Sequence, residues 1–130
     1  GVGKTTLARR SLRESVLGDD LVAVTPATEG WLVHALPFAS TSRLTHTRQT
    51  KRLLAIACIE HSVEAFAKPL SERDALVALA KAAVLIAAHG IESTALTTLW
   101  HLAMSVPVLQ TGLTLTTPVW TLLKDHLVRA

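Results

Sequence analysis

The sequence predicts an α/β fold, a three-layer sandwich in which a parallel sheet lies between helices. Short β-branched stretches alternate along the chain with longer segments whose apolar residues recur every three or four positions. With 130 residues, 49% hydrophobic and 18% charged, the chain can bury one core and is not a disordered tail. We therefore expect residues 1–130 to form a single domain or part of one.

The first half of the chain is predicted to contain two helices, a strand and a short helix. Residues 4–17 have an apolar helical face, and residues 21–25 read as a strand that stops at a proline. Residues 31–36 suggest a short helix. Residues 42–68 predict a longer one, because apolar side chains recur there at helical spacing. An alternative stays open for residues 53–60, which could instead form an apolar strand with Glu60 at its tip.

The second half is predicted to contain three helix starts and one or two strands. Ser71, Ser93 and the pair Thr117-Pro118 are each typical of the first positions of a helix. Residues 106–109 are a strand candidate, and residues 83–87 could be either a strand or more of the preceding helix.

The chemically most specific feature is the leading segment, Gly1-Val2-Gly3-Lys4-Thr5-Thr6. It reads as the second half of a phosphate-binding loop, whose full form is Gly, four free positions and Gly-Lys-Ser/Thr. Glycines allow several backbone N–H groups to point at phosphate oxygens. In such loops the lysine reaches the terminal phosphates, the threonine hydroxyl holds Mg²⁺, and a helix follows. Because the chain opens inside this motif and without Met, we expect it to be a fragment that lacks its N-terminal strand.

The motif and the alternation of elements resemble P-loop NTPases, and in finer detail the ATPase domain of LuxR-type STAND regulators of transcription. Residues 1–9 resemble the loop and first helix of that domain. Residues 34–39 are similar to its Pro-Phe segment, and residues 117–127 to a late helix. The resemblance implies ATP and Mg²⁺ as ligands, a switch between ATP and ADP forms, and further domains in a longer parent chain. It also implies that DNA is contacted by a module outside this segment. A cytoplasmic location is expected on a separate ground, because a single cysteine is typical of a reducing compartment.

The chain departs from that family at its acidic strand. The paired carboxylates that position Mg²⁺ and water would fall on Ala87 or Ala88, and alanine cannot ligate a metal. Gln110 stands where a sensor arginine is expected, without its charge. We therefore expect nucleotide binding with weak or no hydrolysis. Under the alternative strand at residues 53–60, Glu60 is the candidate catalytic acid.

Other features indicate structural roles or leave a second function open. Cys58 is the only cysteine, which excludes an internal disulfide, and no apolar stretch is long enough to predict a membrane helix. The basic residues from Arg43 to Arg52 are typical of a solvated surface, and the six histidines show no metal-ligand spacing. The missing acids favour an alternative function, a degenerate interaction module without nucleotide binding.

Overall fold

A computed structural model gives the fold of residues 16–17, 21–36, 49–83, 92–114, 116 and 118–127. The chain divides into two compact units, Gly1–Leu53 and Leu54–Ala130. Each unit has its own three-stranded sheet. The predicted helix over residues 4–17 falls largely outside the described ranges, and the described residues Val16 and Leu17 are not helical.

The described part of the first unit is an antiparallel sheet. Its strands are β1 (Val22–Pro26), β2 (Trp31–Ala35) and β3 (Thr50–Arg52), with β2 in the centre. The β1–β2 turn is closed by a 2.9 Å hydrogen bond from the Ala27 N–H to the Gly30 carbonyl. Gly30 has φ of 81°, a conformation that glycine adopts without the steric cost of a Cβ atom. A hairpin with so tight a turn can only be antiparallel.

The second unit contains a mixed sheet. Strand β6 (Val108–Leu113) lies between β4 (Ile56–His61), which runs parallel to it, and β5 (Phe66–Pro69), which runs antiparallel. The central strand is buried on both faces at Val108, Leu109, Thr111 and Gly112. A strand between two neighbours with both faces covered needs no polar alternation, which accounts for the apolar run that precedes Gln110.

Three helices are described, and all belong to the second unit: α1 (Glu72–Ala82), α2 (Glu92–Ser105) and α3 (Val119–Leu127). Helix α1 begins where the Ser71 hydroxyl accepts a 3.2 Å hydrogen bond from the Asp74 N–H, as the Ser-x-x-Asp spacing predicts. Helices α1 and α2 pack on each other. The buried apolar residues described in this unit come from all three helices, from β6 and from the connection between α2 and β6: Ala75, Leu79, Leu102, Val106, Val108, Leu109 and Val119.

The predicted three-layer sandwich with a parallel sheet is wrong. Only β4 and β6 run parallel, and every other described strand pair is antiparallel. The prediction assumed that each strand is followed by a crossover helix. Instead, a tight turn joins β1 to β2, and four residues join β4 to β5, so both connections are too short for a crossover.

Two predicted helices are also wrong. Residues 31–36 contain β2. Residues 50–68, within the predicted 42–68 helix, are occupied by β3, β4 and most of β5. Val63, one of the apolar residues whose helical spacing predicted that helix, is 98% exposed in the β4–β5 connection. The alternative strand at residues 53–60 is confirmed for residues 56–60, which lie in β4, although that strand begins three residues later and extends past Glu60 to His61. The strands near residues 21–25 and 106–109 and the helices beginning near Ser71, Ser93 and Thr117 are confirmed, while residues 84–91 lie outside the described ranges.

Candidate functional site

The predicted phosphate-binding residues Gly1, Val2, Gly3, Lys4, Thr5 and Thr6 lie outside the described residues. Their assignment to phosphate, with Thr5 as the Mg²⁺ ligand, stays a prediction. The remaining candidate, Glu60, is described, as is Gln110 at the expected sensor position.

Glu60 and Gln110 are brought together by the parallel pairing of β4 and β6. Glu60 is opposite Gly112 and Cys58 is opposite Gln110, so the side chains of Cys58, Glu60 and Gln110 share one face of the sheet, next to the bare backbone of Gly112. The Gln110 amide nitrogen donates to both carboxylate oxygens of Glu60, each at 3.0 Å, in a partly buried setting. The amide therefore occupies part of the capacity of the carboxylate to accept hydrogen bonds.

The same face carries an aromatic ring and a lysine from β5. Phe66 is opposite Gly112 and Lys68 is opposite Gln110, and the Lys68 ammonium lies 5.5 Å from the centre of the Phe66 ring. The ring covers Gly112 so closely that a Cβ atom there would lie 2.6 Å from Phe66 Cδ1 and 2.8 Å from Ser62 Cβ. This glycine is required because of space, and the sequence pattern alone gave no sign of it.

Burial affects the chemistry of two further side chains of this sheet, Cys58 and Thr111. Burial raises the pKa of the Cys58 thiol above its ordinary value, because desolvation disfavours the thiolate. Cys58 is therefore a poor nucleophile. On the opposite face of β6, Thr111 is 0% exposed, and its hydroxyl has no hydrogen-bond partner in the described part of the chain.

A second polar group lies on the sheet of the first unit. The His34 side chain on β2 is held between hydroxyls of both neighbouring strands, with Nε2 2.7 Å from Thr25 Oγ1 and Nδ1 3.1 Å from Thr50 Oγ1. The helices predicted over residues 31–36 and 42–68 exclude this arrangement, because it requires His34 and Thr50 to lie on paired strands. A period-two reading of residues 31–35 would have put His34 on the face of a strand.

The second unit also has an open cleft of about 340 Å³, between the start of α1 and the end of α2. Most of its lining is apolar or backbone, and Glu72 supplies its charged side chain. A single carboxylate in an open cleft gives no basis for assigning a ligand.

No metal centre is found in the residues that the structure describes, because they contain no group of three or more His, Cys, Asp or Glu side chains that could hold an ion. Among the described helices, none combines the length and the hydropathy needed to cross a bilayer. Comparisons with known protein families, with curated proteins and with solved structures found no match to this chain.

Proposed function

We propose that this chain binds ATP together with Mg²⁺ through its leading segment, Gly1–Thr6, and acts as a nucleotide-dependent switch in a regulator of transcription. The observation that carries the proposal is the sequence Gly3-Lys4-Thr5-Thr6, preceded by Gly1 and followed by residues with a helical pattern. The resemblance of residues 1–9 to the corresponding loop of STAND regulators supports the regulatory part of the proposal.

Each residue of the segment has a defined task under this proposal. The backbone N–H groups of Gly1 to Thr5 bind phosphate oxygens, and the Lys4 ammonium neutralises the terminal phosphates. The Thr5 hydroxyl ligates Mg²⁺, which would neutralise further charge on the phosphates when bound.

Hydrolysis is expected to be weak or absent. Glu60, the candidate acid, accepts both hydrogen bonds of the Gln110 amide described above, which reduces its capacity to orient a water molecule. Gln110 itself carries no charge that could stabilise a transferring phosphoryl group. A protein of this kind would respond to which nucleotide is bound rather than turn over many molecules.

Titration with a fluorescent ATP analogue, with and without Mg²⁺, tests the proposal. Lys4→Ala should weaken binding at least about tenfold, because it removes a cation in contact with phosphate. Thr5→Ala should abolish the effect of Mg²⁺ while leaving metal-free binding in place. Lys124→Ala, which removes an exposed lysine from α3, is the matched control and should bind like the wild type.

Two outcomes would contradict the proposal. If the wild type and Lys4→Ala bind the analogue equally weakly, the chain is better described as an interaction module without nucleotide binding. If the wild type turns over ATP and Glu60→Gln abolishes turnover, the chain is an ATPase and the expectation of weak hydrolysis is wrong.

A further inference from the structure

We propose that the face of the first sheet that carries His34 binds a tetrahedral oxyanion dianion, such as a phosphate monoester, and binds it more tightly when His34 is protonated. This site lies on the sheet β1–β2–β3 and does not involve the Gly1–Thr6 segment.

The register of the sheet places four polar side chains on that face. His34 is opposite Thr50, and Leu32, two residues before His34, is opposite both Thr25 and Arg52. Since side chains alternate along a strand and opposed residues share a face, Thr25, His34, Thr50 and Arg52 all lie on the same side.

Exposure makes this face accessible to a ligand. Thr25, Thr50 and Arg52 are exposed, and His34 is half-buried. The Arg52 guanidinium lies near Gly30, since a Cβ atom at that glycine would be 3.9 Å from its Nε and Nη2 atoms. A change of rotamer would bring the guanidinium toward Thr50, two residues earlier on the same strand.

The hydroxyl–imidazole–hydroxyl arrangement changes its donor capacity when the ring takes up a proton. In the neutral ring one nitrogen donates to one hydroxyl oxygen and the other accepts from the second hydroxyl, so one O–H hydrogen is left for a ligand. In the imidazolium both nitrogens donate. Both threonine oxygens then accept, and both O–H hydrogens can point outward. Protonation thus adds one positive charge and one outward donor to the face at the same time.

Among the described residues, the other charged groups of this unit either favour an anion or lie away from His34. Strand β1 has no titratable side chain, and on β3 Arg52 shares the face while Lys51 projects from the opposite one. Glu29, in the β1–β2 turn, is the acidic group nearest in sequence, and the intervening residues of β2 separate it from His34. From the residues that the structure describes, the face therefore carries one fixed positive charge, that of Arg52, and a second when His34 is protonated.

Sulfate is a suitable probe, because its charge stays constant across the range in which histidine titrates, whereas that of phosphate does not. Full-length Lys4→Ala protein is used as the background, so that the leading segment contributes little anion binding. Sulfate is titrated at constant ionic strength at pH of about 5 and about 8, while NMR follows the ring signals of His34. We expect binding roughly thirtyfold tighter at the lower pH, the factor that one added positive charge at contact distance from a dianion contributes in water. The His34 titration should move to higher pH in sulfate, as linkage requires.

Variants separate this site from general attraction to a basic protein. Thr50→Val should weaken binding at both pH values, whereas Thr50→Ser, which keeps the hydroxyl, should bind like the background. His34→Gln should abolish the pH dependence, and His101→Gln, an exposed histidine on α2, should leave it intact.

Equal affinity at the two pH values would overturn the proposal, as would an unmoved His34 titration in sulfate. The proposal would also be overturned if Thr50→Val is folded, as judged by its amide spectrum, and binds sulfate as tightly as Thr50→Ser does. Should Thr50→Val fail to fold, the His34 titration in the background protein decides the question alone.

Discussion

Replacing Gly112 with alanine should destabilise the second unit by about 2 kcal/mol. The new Cβ atom would lie 2.6 Å from Phe66 Cδ1 and 2.8 Å from Ser62 Cβ, where carbon atoms pack at about 3.5–4.0 Å. One of these atoms is next to the backbone, so relief requires a shift of the chain as well as of the ring. Such overpacking costs up to about 3 kcal/mol, and the entropy that alanine removes from the unfolded chain returns about 0.5–1 kcal/mol.

Thermal unfolding followed by far-UV circular dichroism is the appropriate assay, because all the described helices belong to the second unit. For a unit of this size, 2 kcal/mol corresponds to a fall in melting temperature of roughly 8–16 °C. Gly30→Ala is the matched control. It makes the same chemical change at a glycine with φ of 81° and nearest atoms 3.9 Å away, so its cost comes from conformation in the β1–β2 hairpin.

A double-mutant cycle with Phe66→Ala isolates the steric term. In the background without the ring, Gly112→Ala should cost at least about 1 kcal/mol less than in the wild type. An unchanged melting temperature for Gly112→Ala, or additive effects of the two substitutions, would show that Phe66 does not cover Gly112 as described.

Two further predictions concern side chains of the same sheet. Thr111→Val should raise the free energy of unfolding by about 1 kcal/mol or more, because it removes a buried hydroxyl without a partner in the described residues. Urea denaturation measures the change, with Thr111→Ser, which keeps the hydroxyl, as the control. A loss of stability in Thr111→Val would mean that the hydroxyl is bonded. The Cys58 thiol should react with a disulfide reagent more slowly than free cysteine at neutral pH, since burial raises its pKa and keeps it protonated. Because the pKa of Cys58 is raised in the folded state, the contribution of its protonated thiol to stability is present below the pKa of the unfolded chain. That contribution is lost as pH rises through the pKa of the folded protein. If Cys58 in the folded protein reacted as fast as free cysteine, the prediction of a protonated, slowly reacting thiol would be contradicted.

The helices of the second unit could be predicted because their signals are local. Ser71 and Asp74 are three residues apart, and their hydrogen bond forms within one turn. The helix predicted over residues 42–68 failed because its evidence was ambiguous. Ile56 and Ile59 fit a three-residue step, but they also belong to a short apolar run that pairs with β6. Pairing with a strand far along the chain decided between the two interpretations, and spacing within one segment carries no information about it.

The candidate site was predictable only in part, for the same reason. Glu60 was considered as the acid at the tip of a strand and Gln110 as a sensor residue, each from its own surroundings. That the two are hydrogen-bonded follows from the register of β4 with β6, which places Cys58 opposite Gln110. The His34 group needs residues from three strands, and two of them, β2 and β3, lie in segments predicted to be helical.

The connectivity of the second sheet governs the order in which the strands can assemble. In the first sheet, the β1–β2 hairpin closes a loop of residues 27–30 only. In the second sheet, β6 pairs with β4 only after the two ends of the segment 62–107 have come together. The entropy of closing that longer loop adds roughly 2 kcal/mol to the barrier by chain-length scaling alone. Until the loop closes, the backbone amides and carbonyls of β4 that will face β6 are open to strands of other molecules. Newly made chains are therefore most prone to aggregate in this interval, and the late-arriving β6 ends it.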